Sequence, residues 1–298
     1  MGNTKGKIKH NLWRILVVVT VLALLITGVI LFLEDRLFTE VLPKDKTSFL
    51  FLDVGQASCT VIRSPEGNVM IDTGSGESAE RMLAALSYYG IQRIDLLLLT
   101  HADEDHTGGL RRLFEEIPIE CACMSTATAR TLEPLYGDLL GDAIPVDTVV
   151  GGDRFTVGGI VVDILSPSEG ALEEEDESNE SSLVIHVRDG EVDAIFPGDA
   201  DMDGEEAALT VLEHRYNRFT CELLLVGHHG SKYSSGERFL FGISPQYAVI
   251  SCRLYNTYGH PDPAVLERLA FFGAVICRTD LEGTIVFTSD GKTVTRLR

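Results

Sequence analysis

"LLLLTHADEDHTGGL", residues 96–110, sets four consecutive leucines directly before two histidines and three acidic residues packed into six positions, followed by a glycine pair. A short apolar run of this kind reads as a fully buried strand. Ionisable groups at the end of such a strand cost several kcal/mol each when they are buried without partners. A fold that contains this stretch must therefore bring partners to it from elsewhere in the chain. The loop leaving a buried strand end is a rigid place to hold them.

The surrounding sequence supplies a frame. "TSFLFLDVG" and "SCTVIRSPEGNVMIDTG" read as strands, with Pro65–Asn68 as a hairpin turn. "SAERMLAALSYYG" predicts a helix capped by Ser78, with Met82, Leu83, Leu86 and Tyr89 at helical spacing and Gly90 as its stop. "IDLLLLT" follows as a strand and "GGLRRLFEEI" as a second helix, so the quoted stretch is a strand-to-helix loop. Further on, "RFTVGGIVVDILSP", "SSLVIHVRDGEVDAIFPGD", "CELLLVGHHG", "YAVISC", "VICRTD" and "GTIVFTSDGKTVTRL" read as strands. "GEEAALTVLEHRY" and "PAVLERLAFFG" read as helices, and the acidic run "EGALEEEDESNE" as a solvated loop. This order predicts layered α/β structure, with residues 45–298 as one domain.

Ahead of that domain, residues 15–33 form an uncharged run of about 19 residues, near the roughly 20 that span a bilayer as a helix. Lys5, Lys7, Lys9 and Arg14 precede it, while Glu34 and Asp35 follow. The positive-inside bias then predicts a cytoplasmic segment at 1–14, a single-pass signal-anchor at 15–33, a tether at 34–44 and an extracytoplasmic body on the cell membrane. A cleaved signal peptide is the rival reading, but no A-x-A-like site follows the run. From Glu34 onward the chain keeps 45 acidic residues against 21 basic ones, since four of its 25 bases come earlier; the formal charge there is −24. Such a body repels polyanions unless cations or a local basic groove intervene.

Three more apolar runs end in acid or imidazole: "IDTG" at Asp72, "IFPGDAD" at Asp199 and "LLLVGHHGS" at His228 and His229. His260, in "NTYGHPDP", is a further candidate. Four such endings predict convergence at one edge of a sheet sandwich around a shared cation. With His101, Asp103, Asp105 and His106 the donors are imidazole and carboxylate, a mixture that suits zinc, manganese or iron. The six cysteines lie mostly in strand-like runs and read as buried small hydrophobes. "CAC" at 121–123 has the wrong spacing for a zinc knuckle and no partner pair, so no structural cysteine site is expected.

"THADEDHTGG" resembles the H-x-[HD]-x-D-H signature of metallo-β-lactamase-fold hydrolases. Together with "FLDVGQ", "IDTG", "NESSLVI", "IFPGDAD", "VGHHGSKYS", "YGHPDP" and "RTDLEGTI", it resembles the C-terminal hydrolase domain of the competence DNA-uptake channel family (ComEC-like), over residues 48–287. "VGQASC" departs from that family, with Ala57 and Ser58 where Gly and Asp are usual. The resemblance implies an αββα four-layer sandwich and two divalent metal ions. His101 and Asp103 would hold the first ion and Asp105 and His106 the second, with Asp199 bridging. One of His228 and His229, with His228 favoured, would complete the second site. No histidine stands near "NESSLVI", which leaves Asn179 or Ser182 beside an under-coordinated first ion and favours Mn²⁺ over Zn²⁺.

The expected activity is that of a metal-dependent phosphodiesterase or nuclease acting on DNA. Asp105 would orient the attacking oxygen, while His229, His260 and Lys232 would contact the phosphate or the leaving group. The DNA-uptake machinery is the partner that the resemblance implies. The acidic body keeps a wall polymer or small phosphodiester open as substrate; β-lactam hydrolysis, which Asp103 disfavours, and a non-catalytic membrane-tethered binding module are further alternatives. Aromatic residues in "YSSGERFLFGISPQY" have the chemistry to stack bases, but core packing against a helix explains them more simply.

Overall fold

Strands whose residues are apolar on both faces must be covered on both sides, and that requirement builds the layers of this protein. The computed structural model describes residue 13 and residues 17–27, 42–137, 144–168, 181–216 and 219–297. Strands β1 (Thr47–Phe51), β2 (Thr60–Arg63), β3 (Asn68–Ile71), β4 (Leu96–Leu99), β5 (Ala122–Met124) and β6 (Val146–Thr148) belong to one sheet. A second sheet holds β7 (Arg154–Val157), β8 (Ile160–Ser166), β9 (Val184–Asp189), β10 (Val192–Phe196), β11 (Leu223–Leu225), β12 (Tyr247–Ile250) and β13 (Val275–Arg278). The last strands, β14 (Ile285–Ser289) and β15 (Val294–Arg296), return to the first sheet beside β1. In space the orders are β15-β14-β1-β2-β3-β4-β5-β6 and β13-β12-β11-β10-β9-β8-β7.

Alternate residues of the two sheets interleave in one core, with Phe49, Phe51, Val69 and Leu98 from the first and Val162, Ile185, Phe196 and Val249 from the second. Phe51 lies 6.1 Å from Phe196 in a stacked pair and meets Phe287 edge-on at the same separation. The other face of the second sheet, through Ile195, Leu224, Ala248 and Ile250, is covered by helices Met202–Arg215, Glu237–Ile243 and Pro263–Phe271. Helices Ala79–Tyr88 and Leu110–Glu116, which follow strands of the first sheet, bury Met82, Leu86, Leu110 and Leu113. The expected two-sheet sandwich with helices is therefore present.

Two helix starts differ from the sequence reading. Ser75, not Ser78, supplies the cap before Ala79–Tyr88: its side chain accepts from Ser78 N at 3.2 Å and opens a short 3₁₀ turn. The helix expected from Gly204 begins at Met202, because the Asp201 carboxylate accepts from Asp203 N and Gly204 N. Local side-chain-to-backbone bonds of this kind set helix starts more finely than apolar periodicity does.

β3 to β6 run parallel, as do β10 to β13. Parallel strands end at a common edge, and in α/β sheets ligands bind outside those carboxyl ends. Asp72 lies at that end of β3, His101 past β4, Asp199 past β10 and His228 past β11.

The chain divides into two compact units, one of residues 1–41 with 88–90 and one of residues 42–87 with 91–298. In the first, residues 17–27 are helical, with exposed side chains such as Leu24 and Leu25. The rest of the expected span at 15–33, and the expected tether up to residue 41, lie outside the described residues. Among the described residues no helix is long and apolar enough to cross a membrane.

Since Phe51 joins both sheets, Phe51→Ala should lower unfolding free energy by about 3–5 kcal/mol. A guanidinium titration that leaves the midpoint unchanged would show that the two sheets are not held together through this contact.

Candidate metal centre

Asp72 organises the site from below. Fully buried at the end of β3, its carboxylate accepts from Thr100 N at 2.8 Å and from the Thr100 hydroxyl at 2.9 Å. It also meets His106 Nδ1 at 2.7 Å. A carboxylate this close keeps the proton on Nδ1, so the lone pair of His106 Nε2 points away from Asp72, as in carboxylate–histidine–metal arrangements. His229 is set the same way, with Nδ1 donating to Ser251 O at 2.8 Å.

The acceptor ends of these rings meet. His106 Nε2 lies 3.1 Å from Asp199 Oδ1, and His101 Nε2 lies 3.8 Å from Asp199 Oδ2. His228 Nε2 approaches Asp199 Oδ2 to 3.5 Å, and His229 Nε2 approaches Asp105 Oδ2 to 3.3 Å. His101 Nε2 stands 3.7 Å from Asp103 Oδ2. Asp103 occupies the cap position of the short helix Glu104–Thr107 without spending its carboxylate on a backbone N–H, so that carboxylate faces the site instead. Asp199, 93 positions from His106 in sequence, and the histidine pair, over a hundred positions away, thus sit within a few ångströms of the Glu104–Thr107 turn.

Among the described residues, four buried atoms of the two clusters make no well-aligned hydrogen bond: His101 Nε2, His106 Nε2, Asp199 Oδ1 and His229 Nε2; His260 Nδ1, in the cavity beside them, makes none either. Buried polar atoms are nearly always satisfied, and a convergent group of unsatisfied acceptors is the donor set that a cation fills. Two trios place ligand atoms mutually within 4.8 Å: His101, His106 and Asp199, and Asp105, His106 and His229. The residues present therefore fit divalent cations bound by nitrogen and oxygen. His229, rather than the favoured His228, groups with Asp105 and His106, while His228 faces Asp199.

Protonation follows the same geometry. Burial raises the Asp199 carboxyl, but the charge of His106 and its bond more than offset this and hold it well below the usual range. Burial likewise depresses His106, yet Asp199 and Asp72 drive it well above an ordinary histidine, so without a cation Nε2 also carries a proton, which a cation bound there would displace. His228 and His260 are lowered, chiefly by burial, and so stay neutral near pH 7.

Strain marks these positions too. Asp72, His228 and His229 have φ of 59°, 48° and 54°, left-handed values that non-glycine residues adopt at a cost of about 1–3 kcal/mol. Gly198, before Asp199, has φ of 58°, and a Cβ there would lie 2.8 Å from Thr100 Cβ; only glycine lets the two strand ends approach so closely.

The remaining expected residues divide. Ser182 is buried, and its hydroxyl accepts from Asp199 N at 3.3 Å, so it positions the loop rather than a ligand. Asn179 lies outside the described residues. Lys232 sits with its amine 5.0 Å over the Tyr233 ring. His260 lines the same cavity of about 900 Å³ as Asp103, Asp105, Asp199, His228 and His229. His186 takes no part, pairing with Asp193 at 2.7 Å and Asp163 at 3.4 Å inside the second sheet. A third trio, Cys121, Cys123 and Asp147, lies between β5 and β6, where sequence spacing offered the thiols no partner. Burial pushes both thiols up, which disfavours the thiolate form that a metal needs.

Two supporting residues were not assigned a role from sequence. Asp72 showed only as a polar strand ending, because its bond to His106 joins residues 34 positions apart. Glu205 lay within the stretch read as a helix and carried no other signal. It is fully buried and accepts from Ser235 N at 2.6 Å and Gly236 N at 2.9 Å. With the Ser234 hydroxyl donating to Ala200 O at 2.7 Å, it ties the loop after the histidine pair to the loop bearing Asp199.

Residues 52–252 match the metallo-beta-lactamase superfamily, and the chain belongs to it. It is 30% identical over 258 residues to "ComE operon protein 3" of Bacillus subtilis, an alignment covering 79% of this chain and 32% of the relative. "Competence protein ComA" of Neisseria gonorrhoeae is also 30% identical, over 83% of this chain and 33% of its own length. The resemblance to the competence DNA-uptake family therefore holds, and this chain spans about a third of the length of those curated relatives. Among solved structures, the metallo-beta-lactamase fold protein YhfI of Bacillus subtilis superposes with a TM-score of 0.55 at 11% identity, covering 82% of this chain and all of that one. Zn(2+)-bound PqqB of Methylobacterium extorquens gives 0.52 at 13%, covering 77% and 97%. At such identities these two share the fold.

Asp72→Asn should weaken divalent-cation affinity by about 10–100-fold while the fold persists. Equilibrium dialysis with elemental analysis reads this, and unchanged affinity would remove Asp72 from the site. Glu205 yields a pH prediction. Burial pushes its carboxyl up to about 8, against the pull of the two N–H donors. The unfolded chain releases this proton first, so the stability it contributes is whole below about 4.5 and declines as pH rises toward 8. Thermal melts between pH 5 and 9 should show that decline in the native chain and a flatter profile in Glu205→Gln. Parallel profiles would refute it.

Proposed function

We propose that this chain is a two-cation phosphodiesterase acting on DNA, presented outside the cell by an N-terminal membrane anchor. The observation that carries the reading is the meeting of His101, His106, His229 and Asp199 with four buried acceptor atoms lacking partners. Membership of the metallo-beta-lactamase superfamily supports metal-dependent hydrolysis. Kinship with the competence proteins supports DNA as substrate and the uptake machinery as partner. The basic cluster before the apolar run at 15–33 supports the anchor and its orientation.

In this reading His101, Asp103 and Asp199 hold one cation, and Asp105, His106 and His229 hold the other, with Asp199 within reach of both. Bound there, divalent cations activate water and neutralise charge on a phosphodiester. The protein residues do the rest. Asp72, Thr100 and Ser251 fix the imidazole tautomers. Asp105, on the open side, accepts and orients the hydrogen of the incoming water. His228 and His260, neutral and 5.8 Å apart ring to ring, donate N–H groups to non-bridging phosphate oxygens. Zinc and manganese both suit this donor set.

One observation favours a second substrate reading. The acidic body, with Glu77 and Glu104 lining the same cavity, opposes broad polyanion binding and suits a small phosphodiester or a wall polymer that seats one phosphate at a time.

The full chain in detergent, stripped of metal and reloaded with Mn²⁺ or Zn²⁺, should hydrolyse bis(p-nitrophenyl) phosphate and DNA. Asp105→Ala and Asp199→Ala should each lower turnover by at least about a hundredfold. Undiminished turnover in either variant rejects the mechanism, and cleavage of the small ester without DNA selects the second reading.

A further inference from the structure

One continuous segment, Arg253–His260, contributes most of its residues to the cavity lining, together with Asp103, Glu104 and Asp105. Its backbone is stapled by one side chain. Asn256 Oδ1 accepts from Tyr258 N at 3.1 Å and His260 N at 3.0 Å, while its Nδ2 donates to Arg253 O at 2.8 Å and to His260 O. Gln56 Oε1 holds the start of the segment by accepting from Arg253 N at 3.1 Å. The loop is thus a built object rather than slack chain.

What it presents is unusual. Tyr255 is 94% exposed and Tyr258 71%. Tyr255 also sits at φ 57°, left-handed backbone that a bulky residue adopts only at a cost, and its ring buries nothing in return. Strain without a packing gain in a loop lining a metal centre points to ligand contact. The Tyr258 ring stacks on His260 at 5.9 Å with 14° between planes, and His260 stands 5.8 Å from His228. Two ring-to-ring steps therefore lead from the rim to the side chain beside Asp199. Arg253, at the head of the segment, is exposed and forms no ion pair among the described residues.

The chemistry selects a ligand class. Flat aromatic faces and one guanidinium recognise a flat π system joined to an anionic linkage. Sugars also stack on aromatic rings, but within the segment itself the Asn256 amide that would engage hydroxyls is spent on backbone, as is the Gln56 oxygen beside it, so competition by a glycan is a direct test. Charge alone cannot hold a polyanion against a body of formal −24, read from the 45 acidic and 21 basic residues after the basic N-terminal cluster. Stacking can, because it does not depend on net charge. In a closed duplex the bases are already stacked and inaccessible to such rings, so the platform suits unpaired nucleotides.

Building on the phosphodiesterase reading above, we propose that Arg253–His260 is a base-stacking platform that selects single-stranded nucleic acid, with Tyr255 and Tyr258 taking unpaired bases and Arg253 the phosphate between them.

The test uses the full chain in detergent and a single-stranded oligonucleotide carrying 2-aminopurine, whose fluorescence is quenched on stacking. Quenching that saturates in the native chain, is not displaced by closed circular duplex and weakens about tenfold to a hundredfold per ring in Tyr255→Ala and Tyr258→Ala supports the platform. Tyr→Phe variants at both positions should retain the quench, and circular dichroism checks that the alanine variants are folded. Equal affinity in the native chain and a folded double alanine variant overturns it. So does competition by duplex as strong as by single strand, or displacement of the oligonucleotide by a glycan phosphodiester at equal concentration. Hydrolysis of bis(p-nitrophenyl) phosphate by the native chain is scored separately. If that fails while ring-dependent quenching persists, the platform stands as a binding site and the phosphodiesterase reading falls.

Discussion

Buried imidazole and carboxylate atoms that converge from distant strand ends govern this molecule. Asp199 Oδ1 and the Nε2 atoms of His101, His106 and His229 are all removed from water, and among the described residues none makes a well-aligned hydrogen bond, the charge contact of His106 with Asp199 apart. Such a cluster is costly to assemble, and the chain meets that cost with rigid supports. Asp72 and Thr100 hold His106, Ser251 holds His229, and Glu205 binds one flanking loop to another. The left-handed backbone at Asp72, His228 and His229 shows that the supports are strong enough to keep bulky residues where they would not go by preference.

The sandwich makes this possible because it ends several parallel strands at one edge. β3 and β4 in the first sheet, and β10 and β11 in the second, each deliver one polar loop to that edge. The core between the sheets, with Phe51 against Phe196, fixes how far apart the two sets of loops stand. Gly198 then lets the Asp199 loop close on Thr100 without a side chain in the way. Packing far from the chemistry and close approach within it are parts of one arrangement.

Electrostatics explain why such a centre can belong to an acidic protein. In the reading proposed above, cations at this edge would supply the positive charge, so a phosphodiester would need to approach that edge only and not a basic groove. Neutral His228 and His260 offer N–H donors there without adding repulsion between cations. Substrate choice would then pass to shape and to uncharged contacts, which is where the exposed tyrosines of the Arg253–His260 segment enter the proposal. The curated relatives extend to about three times the length aligned here.

Much of this was legible in the residues alone. The apolar runs ending in Asp72, His101, Asp199 and His228 mark strand ends locally, and the H-x-D-x-D-H spacing names the donor types; family and layered fold follow from those short-range patterns. Helix starts were read less exactly, because Ser75 and Asp201 act through single hydrogen bonds that periodicity does not encode. The pairing of His229 rather than His228 with Asp105, the hold of Asp72 on His106 and the burial of Glu205 were beyond reach in one dimension. Sequence determines which groups lie at strand ends, since periodicity and turn chemistry are local. Which of those groups meet, and which ring nitrogen faces the centre, depends on strand order and backbone twist between residues up to about 130 positions apart, and only tertiary packing sets them.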